Sequence, residues 1–420
     1  MRIEIICTGD EVLTGKTVNT NFSHMSQKLE DVGLAVRWGT IVGDDRETLL
    51  EAFRLASARA DAVIVNGGLG PTVDDLSQEI AARAAGVDLV LDAGWLERME
   101  DFFQRRGRVM PPNNRKQAML PSIAERLDNP VGTACGFALD IGKARFFFTP
   151  GVPREMRRMV EEQVIPRLLA RSGLQAVIRL KRFHSYGLGE SHVDALLAGI
   201  EMLASEGGVK LGFRAHYPQL ETKLAVRGAD AADIERKLAP VEAELRRRLG
   251  NFIIAEDDET LEGVVLDALR RCQGSLAVVE TFTGGQIAAR LAPLPGAEAI
   301  FRRGIVSRDL AEIAAALKLP ALDQPSPSTA EAVAEAARRA AGASHGLAVL
   351  IELDEGADRI EFGGTIHVAI ATERGAVSRR ARMLGGRDWV RLGAAELALD
   401  ALRRHLEGLP IAERIDFEKT

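Results

Sequence analysis

The chain has 420 residues, 46% of them hydrophobic, 27% charged and only 5% aromatic, with a formal net charge of −6. That balance suits a globular chain of several domains and gives no general attraction to nucleic acid or to an anionic membrane; the few aromatic residues cannot stack extensively on bases. The three cysteines, Cys7, Cys135 and Cys272, are widely spaced without a CxxC pair, so a disulfide framework and a structural zinc site are excluded and a reduced, cytoplasmic compartment is expected.

The elements of the first domain, expected over residues 1–168, alternate regularly. Ile3–Cys7 reads as a strand; with Glu4 in its short apolar run it is not a signal peptide, and no apolar run in the chain reaches membrane-spanning length. Phe22, Met25, Leu29 and Val32 fall at helical spacing, with Gly33 as the stop. Val36–Val42 is the next strand, Leu49, Leu50, Phe53 and Ala56 mark a helix, and Ala62–Val65 is a buried strand. Such alternation predicts a parallel sheet with helices on both faces, whose ligands sit outside the carboxyl ends of the strands.

Two loops should therefore meet at one edge: Thr8–Glu11 together with Gly15–Asn21, and Asn66–Asp75. Gly67, Gly68 and Gly70 allow a sharp turn and a close backbone approach to a ligand. Thr72 is predicted to cap a helix, with Asp75 completing a capping box, so that a helix amino terminus faces a phosphate. Asp74 and Asp75 suit such a phosphate only with a divalent cation between them, and Asp10 and Glu11 can converge on the same point. The plainer reading of both aspartates is helix capping. Further on, Asn114, Arg115 and Lys116 open a helix with groups that hold phosphate or ribose hydroxyls, or else form a solvated face. Asn129–Phe137 is a turn into a strand, Phe146–Phe148 is a buried strand, and Thr149–Pro153 turns at the same edge, ahead of Glu155 and Met156.

Gly9–Gly15, Asn19–Asn21, Gly67–Asp75, Asn129–Ala134 and Pro150–Met156 together resemble the amino-terminal domain of the CinA (competence/damage-inducible protein A) family, whose fold is similar to molybdopterin-binding domains. Cys135 departs from the family, which usually has proline there. The resemblance implies a three-layer α/β/α domain and a metal-dependent hydrolase cleaving ADP-ribose to AMP and ribose 5-phosphate. On that implication Asp74 and Asp75 hold a divalent metal (magnesium, manganese or cobalt, with a monovalent cation as a possible companion) and act catalytically with Glu11 and Lys116. Gly67, Gly68, Gly70, Thr72, Asn21, Asn114, Gly151 and Glu155 bind the small-molecule nucleotide, and the assembly implied is a homodimer. Two alternatives stand beside it: a molybdenum-cofactor-handling enzyme, disfavoured by Leu69 and the Pro71–Asp75 run, and a non-catalytic assembly or regulatory protein.

The middle segment, 169–254, reads as a small α+β unit: Ala176–His184 a strand, Glu190–Ile200 helical, Val209–His216 and Glu221–Val226 a hairpin, and Ala231–Leu249 a long amphipathic helix. Its family equivalent resembles a KH module, but Gly187–Glu190 is a poor and acidic match to an RNA-gripping GXXG loop. A hinge or lid is the expectation, with His184, Tyr186 and Arg214 as candidate substrate contacts.

In the third segment, 255–420, Leu261–Leu269 is a helix, Leu276–Val279 a strand, and Thr281–Gly285 a loop into the helix Gln286–Leu291. This resembles the carboxy-terminal CinA domain, whose active members deamidate nicotinamide mononucleotide through the serine of a Ser-Cys-Thr-Gly-Gly loop. Here Thr281 and Phe282 stand for that serine and cysteine, while Thr283, Gly284 and Gly285 remain. Gly304–Leu310 lacks the family's tyrosine and lysine, and Val349–Glu355 replaces a later glycine-rich loop. The expectation is a deamidase-like domain that has lost its chemistry, with the basic run Arg379–Arg391 a solvated face.

Overall fold

The computed structural model describes residues 1–173, 177–204, 207–354 and 363–419. The chain forms two compact units, Met1–Arg179 with Gly228–Ala231, and Leu180–Arg227 with Ala232–Thr420.

The first unit is built on a six-stranded sheet in the order Val36–Val42, Ile3–Thr8, Ala62–Asn66, Ala144–Thr149, Gly136–Ile141, Glu125–Leu127. The first four strands are mutually parallel, and Gly136–Ile141 runs antiparallel to both of its neighbours, Ala144–Thr149 and Glu125–Leu127. Ile3–Thr8 and Ala62–Asn66 are buried throughout, as central strands covered on both faces must be. One face packs on a cluster containing Phe53, Trp95, Phe137, Phe146 and Phe148, the other on Met25, Leu29, Met156, Met159 and Leu168. Flanking helices begin at side-chain caps: Asn19 accepts from the Phe22 N–H and Asp45 from the Thr48 N–H. The parallel register ends Thr8, Asn66 and Thr149 in one row, so their exit loops share an edge.

The second unit contains a four-stranded sheet ordered Val209–His216, Gln219–Gly228, Val177–Tyr186, Ile253–Glu256, backed by the helix Ala231–Leu249 and a core around Phe183, Leu224 and Leu245. The expected start of its first strand at Ala176 lies outside the described residues. It also contains a five-stranded sheet ordered Phe301–Val306, Leu276–Glu280, His345–Leu353, Gly363–Thr372, Gly375–Leu384. The Arg387–Leu406 helix crosses this sheet with most of its length buried. No helix among the described residues is long and apolar enough to cross a membrane.

Three local expectations are corrected. The helix after the glycine loop spans Ser77–Ala85 with Leu76 at its cap position, four residues later than a cap at Thr72 would give, because Thr72–Asp75 closes a separate turn on itself. Tyr186 is fully buried, its hydroxyl donating to the Gly393 carbonyl at 3.3 Å, so it cannot touch substrate. The basic run is only partly solvated: Arg379 is 4% exposed, bonded to the Ile411 carbonyl and Glu418, and Arg382 pairs with Asp354.

Burial also separates the thiols. Cys7 and Cys135 are buried and Cys272 is exposed; desolvation pushes Cys135 up to about 12 and raises Cys7. Titration of the native protein with an aromatic disulfide at pH 8 should consume one thiol quickly and the other two only after unfolding. Three fast thiols would contradict this packing.

Candidate functional site

The row of strand ends in the first unit opens into a cleft of about 450 Å³, lined by Thr8, Gly9, Glu11, Asp44, Gly67–Pro71, Asp74, Asp75, Gln117, Thr133, Ala134, Pro150–Val152 and Glu155. Asn21 and Asn66 hold its loops together. Asn21 Nδ2 donates to Asn66 Oδ1 at 2.9 Å and to the Gly151 carbonyl at 2.7 Å. Asn66 Nδ2 donates to Thr149 Oγ1 at 3.2 Å and to the Pro150 carbonyl at 2.6 Å. Gly67, at φ +112°, is required, since a Cβ there would meet Thr8 Oγ1 at 2.5 Å.

Of the residues expected to form this site, Glu11, Asp74, Asp75, Gly67, Gly68, Gly70, Gly151 and Glu155 line the cleft. Asn21, Thr72, Asn114 and Lys116 do not, and each has structural work. Lys116 Nζ donates to the Thr72 and Asp75 carbonyls, both at 2.5 Å, so it clamps the turn instead of facing a phosphate. The Thr72 N–H and hydroxyl both donate to the Asp75 carboxylate. Asn114 is buried and orients Gln117, whose Nε2 donates to the Leu69 carbonyl at 3.2 Å.

The electrostatics oppose a bare phosphate. Five carboxylates line the cleft, from Glu11, Asp44, Asp74, Asp75 and Glu155, and among the described residues no lysine or arginine does. Desolvation raises Asp44, and the neighbouring charges of Asp10, Glu11 and Asp74 raise it further. Burial raises Glu155, against the pull of its bond from Asn129. A divalent cation would relieve this repulsion; among the described residues no three His, Cys, Asp or Glu side chains are already grouped as a metal site. Asp44 was missed by sequence reading because it lies outside the glycine motifs. Its N–H donates to Asp10 Oδ1 at 3.1 Å and the Asp10 N–H returns the bond to Asp44 Oδ2 at 3.2 Å.

In the second unit the strand Leu276–Glu280 delivers the loop Thr281–Gly285 at its carboxyl end. Thr281 is 5% exposed; its hydroxyl donates to the Val349 carbonyl at 3.2 Å and accepts from the Ile351 N–H at 3.0 Å. Thr283 Oγ1 donates to Glu280 Oε2 at 2.6 Å, while Glu280 also accepts from the Ile287 and Ala288 N–H groups at 3.0 and 2.9 Å. Gly284 and Gly285, at φ +68° and +84°, turn the chain into the next helix. The neighbouring strand ends beside this loop: the Ser307 N–H donates to the Glu280 carbonyl at 3.1 Å, and the Arg308 guanidinium lies 4.8 Å from the Phe282 ring. Glu280, Ser307 and Arg308 were missed by sequence reading. Glu280 ends an apolar run, where a wholly buried carboxylate was visible only as a break in hydrophobicity.

Family models match the chain in three consecutive stretches: a probable molybdopterin binding domain over residues 4–170, a damage-inducible protein CinA KH domain over 180–255, and a CinA C-terminal domain over 258–406. A CinA-like protein of Geotalea uraniireducens is 36% identical over 99% of this chain and 100% of its own length. A Shewanella oneidensis protein named nicotinamide-nucleotide amidohydrolase PncC is 38% identical over 97% of this chain and 96% of its own. A solved Thermoplasma acidophilum structure, titled as the protein CinA with unknown function, is 35% identical over 39% of this chain and 96% of its own, with a TM-score of 0.37.

These relatives correct the functional expectation. The activity named among them is amide hydrolysis of a nicotinamide nucleotide, and none of these findings supports an ADP-ribose pyrophosphatase or a metal-dependent hydrolase. The engagement of Lys116 with the Thr72 and Asp75 carbonyls gives the physical side of that correction. The expectation that deamidase chemistry has been lost falls on the same relative, whose similarity runs through the carboxy-terminal domain.

The loop-holding role of Asn66 has a measurable consequence. Asn66→Ala removes a buried amide that joins three loops, and should lower stability by roughly 1–3 kcal/mol for the polar groups left unpaired. Urea unfolding monitored in the first unit checks this, and an unchanged midpoint would remove Asn66 from that role.

Proposed function

The chain belongs to the CinA family, and we propose that its second unit hydrolyses the carboxamide of a nicotinamide nucleotide to the carboxylate, releasing ammonia. The observation that carries this reading is the full-length similarity to a relative named for that activity, together with a CinA C-terminal domain match over residues 258–406, the range that holds the Thr281–Gly285 loop. The loop's place supports it, at the carboxyl end of a parallel strand where α/β sheets hold ligands.

The chemistry asks for a hydroxyl that attacks the amide carbon, a group that takes its proton, and donors for the oxyanion that forms. Thr281 stands where the resemblance places the family's serine. Its hydroxyl already donates to the Val349 carbonyl, so attack requires exchanging that bond for one to a base. The carbon–nitrogen bond then breaks, ammonia leaves with the transferred proton, and water releases the carboxylate. Arg308, exposed beside Phe282, is a cation suited to the nucleotide phosphate.

Incubation of the full chain with nicotinamide mononucleotide should release one ammonia per carboxylate formed, above a heat-killed control. Thr281→Val should lower turnover by about a thousandfold or more, as loss of an attacking group does. Asp74→Asn and Asp75→Asn should leave it unchanged. No ammonia above the control would overturn the proposal.

A further inference from the structure

The loop Thr281–Gly285 leads directly into Gln286–Leu291, a helix of six residues, too short to hold its place alone. Side chains fix it along its length. At its start, Glu280 accepts from two of its N–H groups. Gln286 Oε1 accepts from Arg391 Nη1 at 2.9 Å. Near its end, Arg290 donates to Glu396 Oε2 and to Glu262 Oε2, both at 2.7 Å.

Glu396 is 2% exposed, so both its oxygens need donors. Arg290 serves one. The other accepts from Gln219 Nε2 at 2.5 Å, and Gln219 begins the second strand of the KH-like module's hairpin. The hairpin turn is seated around that bond. The Tyr217 ring lies 3.8 Å from the Trp389 ring, its hydroxyl donates to the Trp389 carbonyl at 3.1 Å, and Tyr186 reaches Gly393 from the adjacent strand.

The same module's glycine turn is occupied by the chain itself. The Asp416 N–H donates to the Gly187 carbonyl at 2.7 Å, while the Asp416 carboxylate accepts from the Gly189 N–H at 2.8 Å and lies 2.9 Å from His192 Nδ1. A carboxylate therefore sits on the turn with which a KH module would grip a nucleic-acid backbone.

We propose that the KH-like module is a buttress for the amidohydrolase loop, with Gln219 and Glu396 as positioning residues that act through Arg290. The inference rests on the function proposed above. Arg290 faces two carboxylates, and the neutral Gln219 amide supplies the donor that the single guanidinium cannot. Withdrawing that donor leaves a buried carboxylate oxygen unpaired, and the end of the short helix shifts to satisfy it.

The test uses the full chain. In Gln219→Ala, amide hydrogen exchange over residues 281–291 should quicken while exchange in the first-unit sheet stays as in the wild type. Turnover of nicotinamide mononucleotide should fall roughly ten- to a hundredfold, as misplacement of reacting groups does, with little change in KM. Gln219→Glu sets two carboxylates face to face, and its turnover relative to wild type should recover as pH falls and the pair shares a proton. Gln219→Met, close in shape but without the donor, is the substitute should the alanine variant misfold, and it should quicken exchange likewise. Unchanged exchange over 281–291 in a folded Gln219 variant would overturn the buttress. If the wild type releases no ammonia, the amidohydrolase reading fails by itself, and the exchange comparison still decides the buttress.

Discussion

Charged side chains on one helix lie inside the second unit, and each dictates where a neighbour must be. On Arg387–Leu406, Glu396, Asp400, Arg403 and Arg404 are all less than 4% exposed. A charge out of water is tolerated only when its hydrogen-bonding capacity is met, and removing a partner costs about 3–5 kcal/mol. Asp400 therefore binds both arginines. Arg404 continues to the Pro410 carbonyl and Glu413, fixing the carboxy-terminal segment, and lies 5.3 Å from the Phe252 ring. Arg403 bonds the Asn251 carbonyl, and Glu396 draws in Arg290 and Gln219. The loop to which the amide chemistry is assigned thus takes its position from electrostatic demands one helix away.

The first unit solves a similar problem with neutral groups. Its strand ends meet through the side-chain amides of Asn21 and Asn66, which join the loops without placing charge between them. The charge is displaced to the cleft wall, where five carboxylates gather without a cation among the lining residues. Lys116, a cation that sequence reading placed among them, is held by two carbonyls of the turn it stabilises. A glycine-rich loop at a strand end is thus compatible with a phosphate cradle and with its electrostatic opposite. The side chains around it decide.

Much of the architecture was legible because apolar periodicity reports burial. The alternation of Ile3–Thr8, Thr20–Asp31, Val36–Val42 and Arg46–Arg59 follows the hydrophobic pattern, and Ala231–Leu249 falls as its amphipathic spacing predicts. The failures lie where polar side chains serve structure. Thr72 and Asp75 carry capping residues at capping spacing, yet they close a turn and the helix begins at Ser77. Asn114 and Lys116 have ligand-binding chemistry, but carbonyls and amides within the fold occupy it. Arg379 and Arg382 read in one dimension as part of a solvated basic face, yet Arg379 bonds the Ile411 carbonyl and Arg382 pairs with Asp354. What distinguishes a buried charge from a solvated one is its tertiary partners, which a linear pattern does not show.

On this reading the nucleotide chemistry of the chain belongs to the loop of the second unit and not to the cleft of the first. Amide hydrogen exchange of the full chain with and without nicotinamide mononucleotide tests it most directly, because it locates the ligand independently of turnover. The account predicts slowed exchange over Glu280–Leu291 and at Ser307 and Arg308, with the first unit unaltered. Protection over Asn66–Asp75 and Gly151–Glu155, with none in the second unit, would contradict it.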